Sequence, residues 1–267
     1  MISVVVTCFN QRDFIDEFFN TLHALSDVKF VFIDDGSSDG SERRIEQHIE
    51  QLEIDAVFLT NRENTGTVTS LRKALKKVDT EFVKFIAIDD PIDINEILRV
   101  SNSEMVNVDL LLSPVKIIGH GPRKKGLAAR SKYLSKFMLL PRCLKSCALM
   151  SSNNIQLQGS IFRTDKLNQI INQISGVRLI EDWPMLEIFF SDPKNRVKFY
   201  PNSFSSYRVH ENQITNSGVH LDALNSDLKR IRQISDELAS KGQNRLLVGL
   251  KRRVGSVINW LILGISS

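Results

Sequence analysis

Three cysteines in 267 residues are too few, and too irregularly spaced, for a disulfide framework or a structural zinc site. Cys8 falls in an apolar run, and Cys143 and Cys147 stand one helical turn apart, which fits reduced thiols in a reducing compartment. Long apolar runs are absent as well: none approaches the roughly 20 residues that a membrane span requires, and the apolar residues 2–7 are too short for the core of a secretory leader. The expected location is therefore the cytoplasm. Without internal repeats, low-complexity linkers or extreme composition, the chain is neither fibrous nor an array. Its 42% hydrophobic content is enough to bury one sizeable core.

The chain does carry a marked charge asymmetry. Residues 1–110 hold 11 Lys/Arg against 21 Asp/Glu, and residues 111–267 hold 24 against 10. A basic second half of this kind presents a surface suited to phosphates. Two stretches concentrate it. Residues 121–145 contain eight Lys/Arg and no acid, interleaved with Leu127, Tyr133, Leu134, Phe137, Met138, Leu139 and Leu140. Residues 241–267 contain five Lys/Arg and no acid, with Leu247, Leu250, Val254, Val257, Leu261 and Ile265 at helical spacing and Trp260 among them. Basic residues alternating with apolar ones at helical spacing fit an anionic membrane face better than nucleic acid, so no nucleic-acid partner is expected. The alternative is ordinary packing with a solvated basic face.

In the first hundred residues, short β-branched runs at 3–7, 29–33, 55–59 and 82–88 alternate with amphipathic helical stripes. Strand and helix in strict alternation imply an α/β fold with a Rossmann-like, mostly parallel sheet covered on both faces. Asn10, Asp34, Asp35, Asn64, Asp89 and Asp90 each follow directly on an apolar strand or its loop, at the carboxyl edge where such sheets bind ligands. Beyond residue 109 the pattern is looser: strands are expected at 110–113, 160–162, 197–200 and 205–209, and helices at 166–174 and 184–190, followed by two helical stripes in the tail. The expected organisation is a nucleotide-binding half at 1–110, an acceptor-binding and catalytic half at 111–215, and C-terminal helices at 216–267.

Two acid pairs stand out. Asp34-Asp35 ends a strand and turns through Gly36 and Gly40 into a helix; adjacent acids there exceed what capping alone needs, and a carboxylate at that point can accept from a base imide or a ribose hydroxyl. Asp89-Asp90 ends the run from Glu81, and two hard oxygen donors suit Mg²⁺ or Mn²⁺ bridging a diphosphate; the competing reading is an N-cap for a helix at 94–98.

The order of Val4 to Asn10, Ile33 to Ser41, Asn64-Thr65-Gly66 and Phe82 to Asp90 resembles family 2 glycosyltransferases of the GT-A fold. Looser extensions are Leu157 to Arg163, Glu181-Asp182-Trp183, and Tyr207 to Ile214, the last similar to a segment of bacterial surface-polysaccharide transferases. The resemblance implies that Thr7 and Asn10 border the nucleotide, that Asp35 reads the uracil, that Asn64 lies near base or ribose, and that Asp89 touches the ribose. It further implies that Asp90 holds Mn²⁺ or Mg²⁺ and that Asp182 is the general base. Arg72 and Arg208 are candidates for phosphate contact, and His210 for completing the metal shell. Many family members place an additional acid two residues before the second pair, where this chain has Ala87. The implied function is inverting transfer of a sugar from a nucleotide diphosphate donor, UDP-linked, to a glycan or lipid-linked saccharide acceptor in O-antigen or other surface polysaccharide synthesis, by a protein peripheral to the inner membrane. The competing functions are a metal-dependent nucleotidyltransferase and a nucleotide-sugar-binding module without catalysis.

Overall fold

The computed structural model describes all residues except 23–26, 122, 154, 212, 214–219, 241–244 and 264–267, and the side chains of 245–247 and 263 also lie outside the described set. Four strands and four helices alternate through the first hundred residues: β1 (Ile2–Cys8), α1 (Arg12–Asn20), β2 (Val28–Asp34), α2 (Ser41–Leu52), β3 (Ala56–Thr60), α3 (Thr67–Leu75), β4 (Phe82–Ala87) and α4 (Ile94–Ser103). There follow β5 (Leu110–Leu112), β6 (Lys116–Gly119), α5 (Lys124–Leu139), α6 (Arg142–Ser151), β7 (Ser160–Arg163), α7 (Thr164–Ile171), α8 (Asp182–Ser191), β8 (Val197–Phe199), β9 (Ser206–Val209), α9 (Leu221–Ser240) and α10 (Arg245–Leu263).

The main sheet runs β3-β2-β1-β4-β7-β5-β8, and β6 pairs with β9 in a separate parallel ribbon. Pairings among β1 to β4 are parallel, whereas β7 lies antiparallel to both β4 and β5. Period-two alternation sorts the strand side chains into two cores. Val5, Val31, Ile33, Val83 and Phe85 face one layer, with Val68 and Leu71 of α3, Leu186 and Phe189 of α8, and Ile231 and Ile234 of α9. Val4, Val6, Phe30, Phe32 and Ile86 face the other, with Ile15, Phe18 and Phe19 of α1, Ile45 of α2, and Ile97 of α4. Burial on both faces is why these strands read as continuous apolar runs rather than as alternating ones.

The basic segment 121–145 is resolved into α5 and the start of α6. Leu127, Tyr133, Leu134 and Phe137 pack into the first core, so this stretch is mostly a core helix with a solvated basic side; only Leu139 is prominently exposed, at 86%. That corrects the expectation of a membrane face here. In α10, by contrast, Val248, Gly255 and Asn259 face the body: a Cβ on Gly255 would meet the Cys147 carbonyl, and Asn259 bonds to the Ala148 carbonyl and the Tyr133 hydroxyl. The expected stripe is on the opposite side, with Leu250, Val254, Val257 and Leu261 exposed and Trp260 beside them. Leu247 and Ile265 lie outside the described side chains. No helix among the described residues is long and apolar enough to cross a membrane.

Candidate active site

Strand order reverses around β1, with β2 and β3 on one side and β4 on the other. A crevice therefore opens beyond the carboxyl ends of β1, β2 and β4, as it does at the switch point of any doubly wound sheet. It is a cavity of about 610 Å³. Thr7, Asp35, Asn64, Asp89 and Asp90 line it at the sheet, with Gln158 beside Asp90, and Arg123, Leu127, Arg130, Asn153, Glu181, Asp182, Trp183 and Tyr207 complete the lining.

The Asp34-Asp35 pair organises the loops of the sheet side. Asp34 Oδ1 accepts from the Ser37 amide in the turn. Asp35 Oδ1 accepts from Asn61 Nδ2 (2.8 Å), the Thr65 amide (2.9 Å) and the Thr65 hydroxyl (2.8 Å), and Asp35 Oδ2 accepts from the Gly66 amide (2.9 Å). Its carboxylate thus clamps the 61–66 loop that carries Asn64. Asp39 accepts from the first amides of α2 and α1, those of Ser41 and Arg12. Asn10 adopts a left-handed conformation (φ 51°) and joins the same scaffold: its amide donates to the Ser37 hydroxyl, and its Oδ1 accepts from the Ser38 amide. Its side chain is engaged with the neighbouring loop, and it is not among the residues that line the cavity, unlike Phe9 and Gln11 on either side. Gly36 (φ 78°) is required because a Cβ there would lie 2.5 Å from the Glu63 carbonyl carbon.

Asp89 and Asp90 follow β4 and are both buried. Asp93 caps α4, accepting from the Glu96 amide at 3.0 Å, so the acid pair is not there to cap that helix. Burial, and then the neighbouring Asp89, push the Asp90 carboxyl well above the ordinary carboxylate range, although the Arg208 amide (2.7 Å) and the Gln158 side chain hold its charged form. Beneath the pair lies Lys84, fully buried, its ammonium on the Gln158 carbonyl and 4.9 Å from the Phe204 ring; burial brings it down to about 7. His210 does not converge on Asp90. Its Nε2 sits 2.8 Å from Asp89 Oδ2, and its ring packs on Phe14. Among the described residues no group of three or more His, Cys, Asp or Glu side chains is placed to hold a metal. A divalent cation nevertheless fits the acid pair, because Asp89 Oδ1 is buried without any donor and Asp90, with Asp89 beside it, is pushed above the ordinary range even with the charge of Lys84 nearby. Mg²⁺ and Mn²⁺ are commonly held by one or two carboxylates together with substrate phosphates, so two protein ligands suffice.

The phosphate candidates fare differently. Arg72 is not brought to the cavity: its Nε and Nη2 donate to the Ile171 carbonyl at 3.1 and 3.0 Å, closing the C-terminus of α7. Arg208 donates to the Asp89 carbonyl and is ion-paired with Glu17, so it buttresses the acidic turn.

Glu181 and Asp182, also in the lining, stand at the start of α8. Asp182 Oδ1 accepts from the Trp183 amide (2.7 Å) and Oδ2 from Asn153 Nδ2 (2.8 Å). Burial raises both carboxyls, Glu181 to about 8, but the two environments differ. Asp182 has those two donors and the positive charge of Arg130 favouring its ionised form, whereas Glu181 has the negative charges of Asp182 and Asp227 against it. Of the two, Asp182 is the one whose surroundings favour the carboxylate, and Glu181 the one held protonated at neutral pH. Pairs whose surroundings push their acidities apart mark acid and base roles.

Two residues that pattern reading missed hold this wall. Asp227 of α9 is 1% exposed and accepts from three consecutive amides, Arg178 (2.9 Å), Leu179 (2.6 Å) and Ile180 (3.0 Å). Arg178 then reaches across: its Nη2 donates to the Asn64 carbonyl and Oδ1, and its own carbonyl accepts from the Val68 amide. At this junction Gly66 (φ 90°) leaves no room for a Cβ, which would lie 2.3 Å from Arg178 Cγ. The 61–66 loop and the loop that leads into Glu181 and Asp182 are thereby joined.

Residues 3–102 match the family model described as glycosyl transferase family 2. The putative teichuronic acid biosynthesis glycosyltransferase TuaG of Bacillus subtilis (strain 168) is 32% identical over 97 residues, 34% of this chain and 36% of that protein. The chain thus matches about a third of that curated relative. Among solved structures, S. aureus TarS 1–349 in complex with UDP-GlcNAc superposes with a TM-score of 0.61 at 18% identity, covering 97% of this chain and 72% of that one. The mannosyltransferase PcManGT from Pyrobaculum calidifontis with GDP-Man and Mn²⁺ gives 0.56 at 15% identity, covering 100% and 76%. Glucosyl-3-phosphoglycerate synthase from Mycobacterium tuberculosis with Mn²⁺, UDP and phosphoglyceric acid gives 0.54 at 16% identity, covering 86% and 78%. The architecture is the GT-A fold.

Proposed function

We propose, from the premise that residues 3–102 are a family 2 glycosyl transferase domain within a GT-A fold, that this chain moves a sugar from a UDP-linked donor to an acceptor hydroxyl with inversion. The carrying observation is that two acid pairs of different character line one cavity: Asp89-Asp90, with Asp89 Oδ1 buried and lacking a donor, and Glu181-Asp182, whose surroundings favour the charge on Asp182 over Glu181. In this reading the donor lies along Thr7, Asp35 and Asn64, and Asp89 and Asp90 hold Mn²⁺ or Mg²⁺. The chemistry supplied by such a cation is charge compensation at the departing diphosphate. Asp182 takes the proton of the acceptor hydroxyl, the acceptor oxygen bonds to the anomeric carbon on the face opposite the leaving group, and the electrons of the breaking C–O bond go to the diphosphate oxygen. Burial of the walls strengthens each of these interactions. The similarity to TuaG supports a surface-polysaccharide acceptor, and we assign a saccharide on a lipid pyrophosphate carrier.

Titrating UDP into the chain with and without Mn²⁺ tests the donor half of this reading. Binding is expected to tighten with metal in the wild type and to lose that increment in Asp90→Asn. Equal metal enhancement in both proteins would remove Asp90 from the cation site.

The exposed stripe of α10 supports attachment to the cytoplasmic membrane face. Leu250, Val254, Val257 and Leu261 recur on one side, Trp260 is 52% exposed, and Arg253 is exposed beside them. Partial burial of such side chains contributes up to roughly 1.5–3 kcal/mol each, and each basic residue near an anionic surface adds about 1 kcal/mol. Deleting the helix would strip Asn259 and Gly255 from the body, so the informative change is a double substitution on the outer side. Val257→Glu with Leu261→Glu is expected to abolish flotation with phosphatidylglycerol vesicles and leave the melting temperature unchanged. Undiminished flotation would exclude this face.

A further inference from the structure

We infer that Arg130, supported by Arg123 on the same helical stripe, forms a subsite for an anionic group of the acceptor, a phosphate or carboxylate carried near the hydroxyl that reacts. The inference rests on the transfer reading for the word acceptor; the anion site itself rests on the cavity alone. Arg123, at the N-cap of α5, and Leu127 and Arg130 within the helix are spaced i, i+4, i+7, and all three residues line the cavity. Arg130 is half-buried, yet among the described residues it makes no hydrogen bond and no ion pair. That sets it apart from its neighbours. Arg72 is spent on the Ile171 carbonyl, Arg178 on Asn64, and Arg208 on Glu17 and the Asp89 carbonyl. A guanidinium offers five donors in a planar fork that matches an oxyanion, and although the charge of Arg130 reaches Asp182, its donors make no hydrogen bond among the described residues.

Position separates this site from the donor's diphosphate. The charge of Arg130 reaches Asp182, whereas the charge of Lys84 and the Arg208 amide reach Asp90. Arg130 therefore belongs to the part of the lining that holds the base. An anion seated there lies beside the carboxylate that takes the acceptor's proton. The basic excess of residues 111–267 has the sign needed to draw such a substrate in.

The test uses the full chain with UDP and Mn²⁺ saturating, methyl phosphate as the phosphate probe and acetate as the carboxylate probe, with phosphorus and proton relaxation of the probes reporting binding. Wild type is expected to bind at least one probe while UDP is present. Arg130→Gln is expected to weaken that binding about tenfold or more, since a charged hydrogen bond is lost. Arg130→Lys should recover part of it, and Arg253→Gln, on exposed α10, should leave it unchanged. Whichever probe binds more tightly names the anion. Displacement of both probes by UDP would assign Arg130 to the donor instead, and unchanged binding in Arg130→Gln would remove the site altogether. If UDP itself does not bind, the transfer reading falls, while the probe titration of Arg130→Gln against wild type still decides the anion site.

Discussion

Asp182→Asn is expected to lower transfer by about 10²–10⁴-fold, the usual cost of removing a general base, with UDP affinity unchanged. Asn keeps the shape of Asp182, and its oxygen can still accept from the Trp183 amide at the start of α8. It has no basic oxygen to take a proton. Activity should also rise with pH along an acid limb that lies above the ordinary carboxylate range, because burial raises Asp182 and the rate follows its ionised form. Glu181 serves as the control. Pushed up to about 8, it is neutral at pH 7, so Glu181→Gln should cost far less at that pH than Asp182→Asn. Initial rates of the two variants from pH 5 to 9 check both points, and an Asp182→Asn protein retaining a tenth of wild-type turnover under saturating substrates would exclude it as the base.

The half of the site built on β1, β2 and β4 was legible because the strands are apolar on both faces and their ends are abruptly acidic. Thr7, Asp35, Asn64, Asp89 and Asp90 were all placed at the cavity by that contrast. What Asp35 and Asn10 touch was not legible. Their hydrogen bonds go to residues 61–66 and 37–38, and such loop contacts depend on how two turns meet in space rather than on either turn's spacing. The antiparallel sense of β7 and the β6–β9 ribbon were likewise out of reach, since each pairing is four residues or fewer and is fixed by distant chain. Two signals were present and unread. Lys84 breaks an otherwise apolar strand, and a charge at that depth requires a reason. Asp227 interrupts the apolar stripe of α9, lying between Leu224 and Ile231 on the face that packs inward.

That interruption carries the last expected result: Asp227→Asn should lower turnover and shift the pH profile while leaving the fold intact. The Asp227 carboxylate holds three successive amides of residues 178–180, two of them on Oδ2 and one on Oδ1. With Asn the retained oxygen can keep the Leu179 and Ile180 amides, but the amide nitrogen then faces the Arg178 N–H, donor against donor. Loss of one such charged hydrogen bond costs about 1.5–3 kcal/mol, and a chain of this size melts roughly 2–4 °C lower per kcal/mol lost, so the variant stays folded at 25 °C. The loop it loosens carries Glu181 and Asp182 at one end and, through Arg178, grips Asn64 at the other. A misplacement there reaches Asp182 and the Asn64 loop together, and if Asp182 is the base as proposed, small displacements of it lower the rate steeply. A merely structural role would reduce the melting temperature and nothing else. The distinguishing readout is the titration of Glu181, whose acidity is held down in part by the negative charge of Asp227. Removing that charge should move the Glu181 midpoint below its value of about 8, whereas Asp227→Glu, which keeps the charge, should hold the midpoint near 8 even if turnover falls. Carboxyl carbon chemical shifts of Glu181 followed across pH in the three proteins measure this directly, and an unmoved midpoint in Asp227→Asn would confine Asp227 to holding the fold.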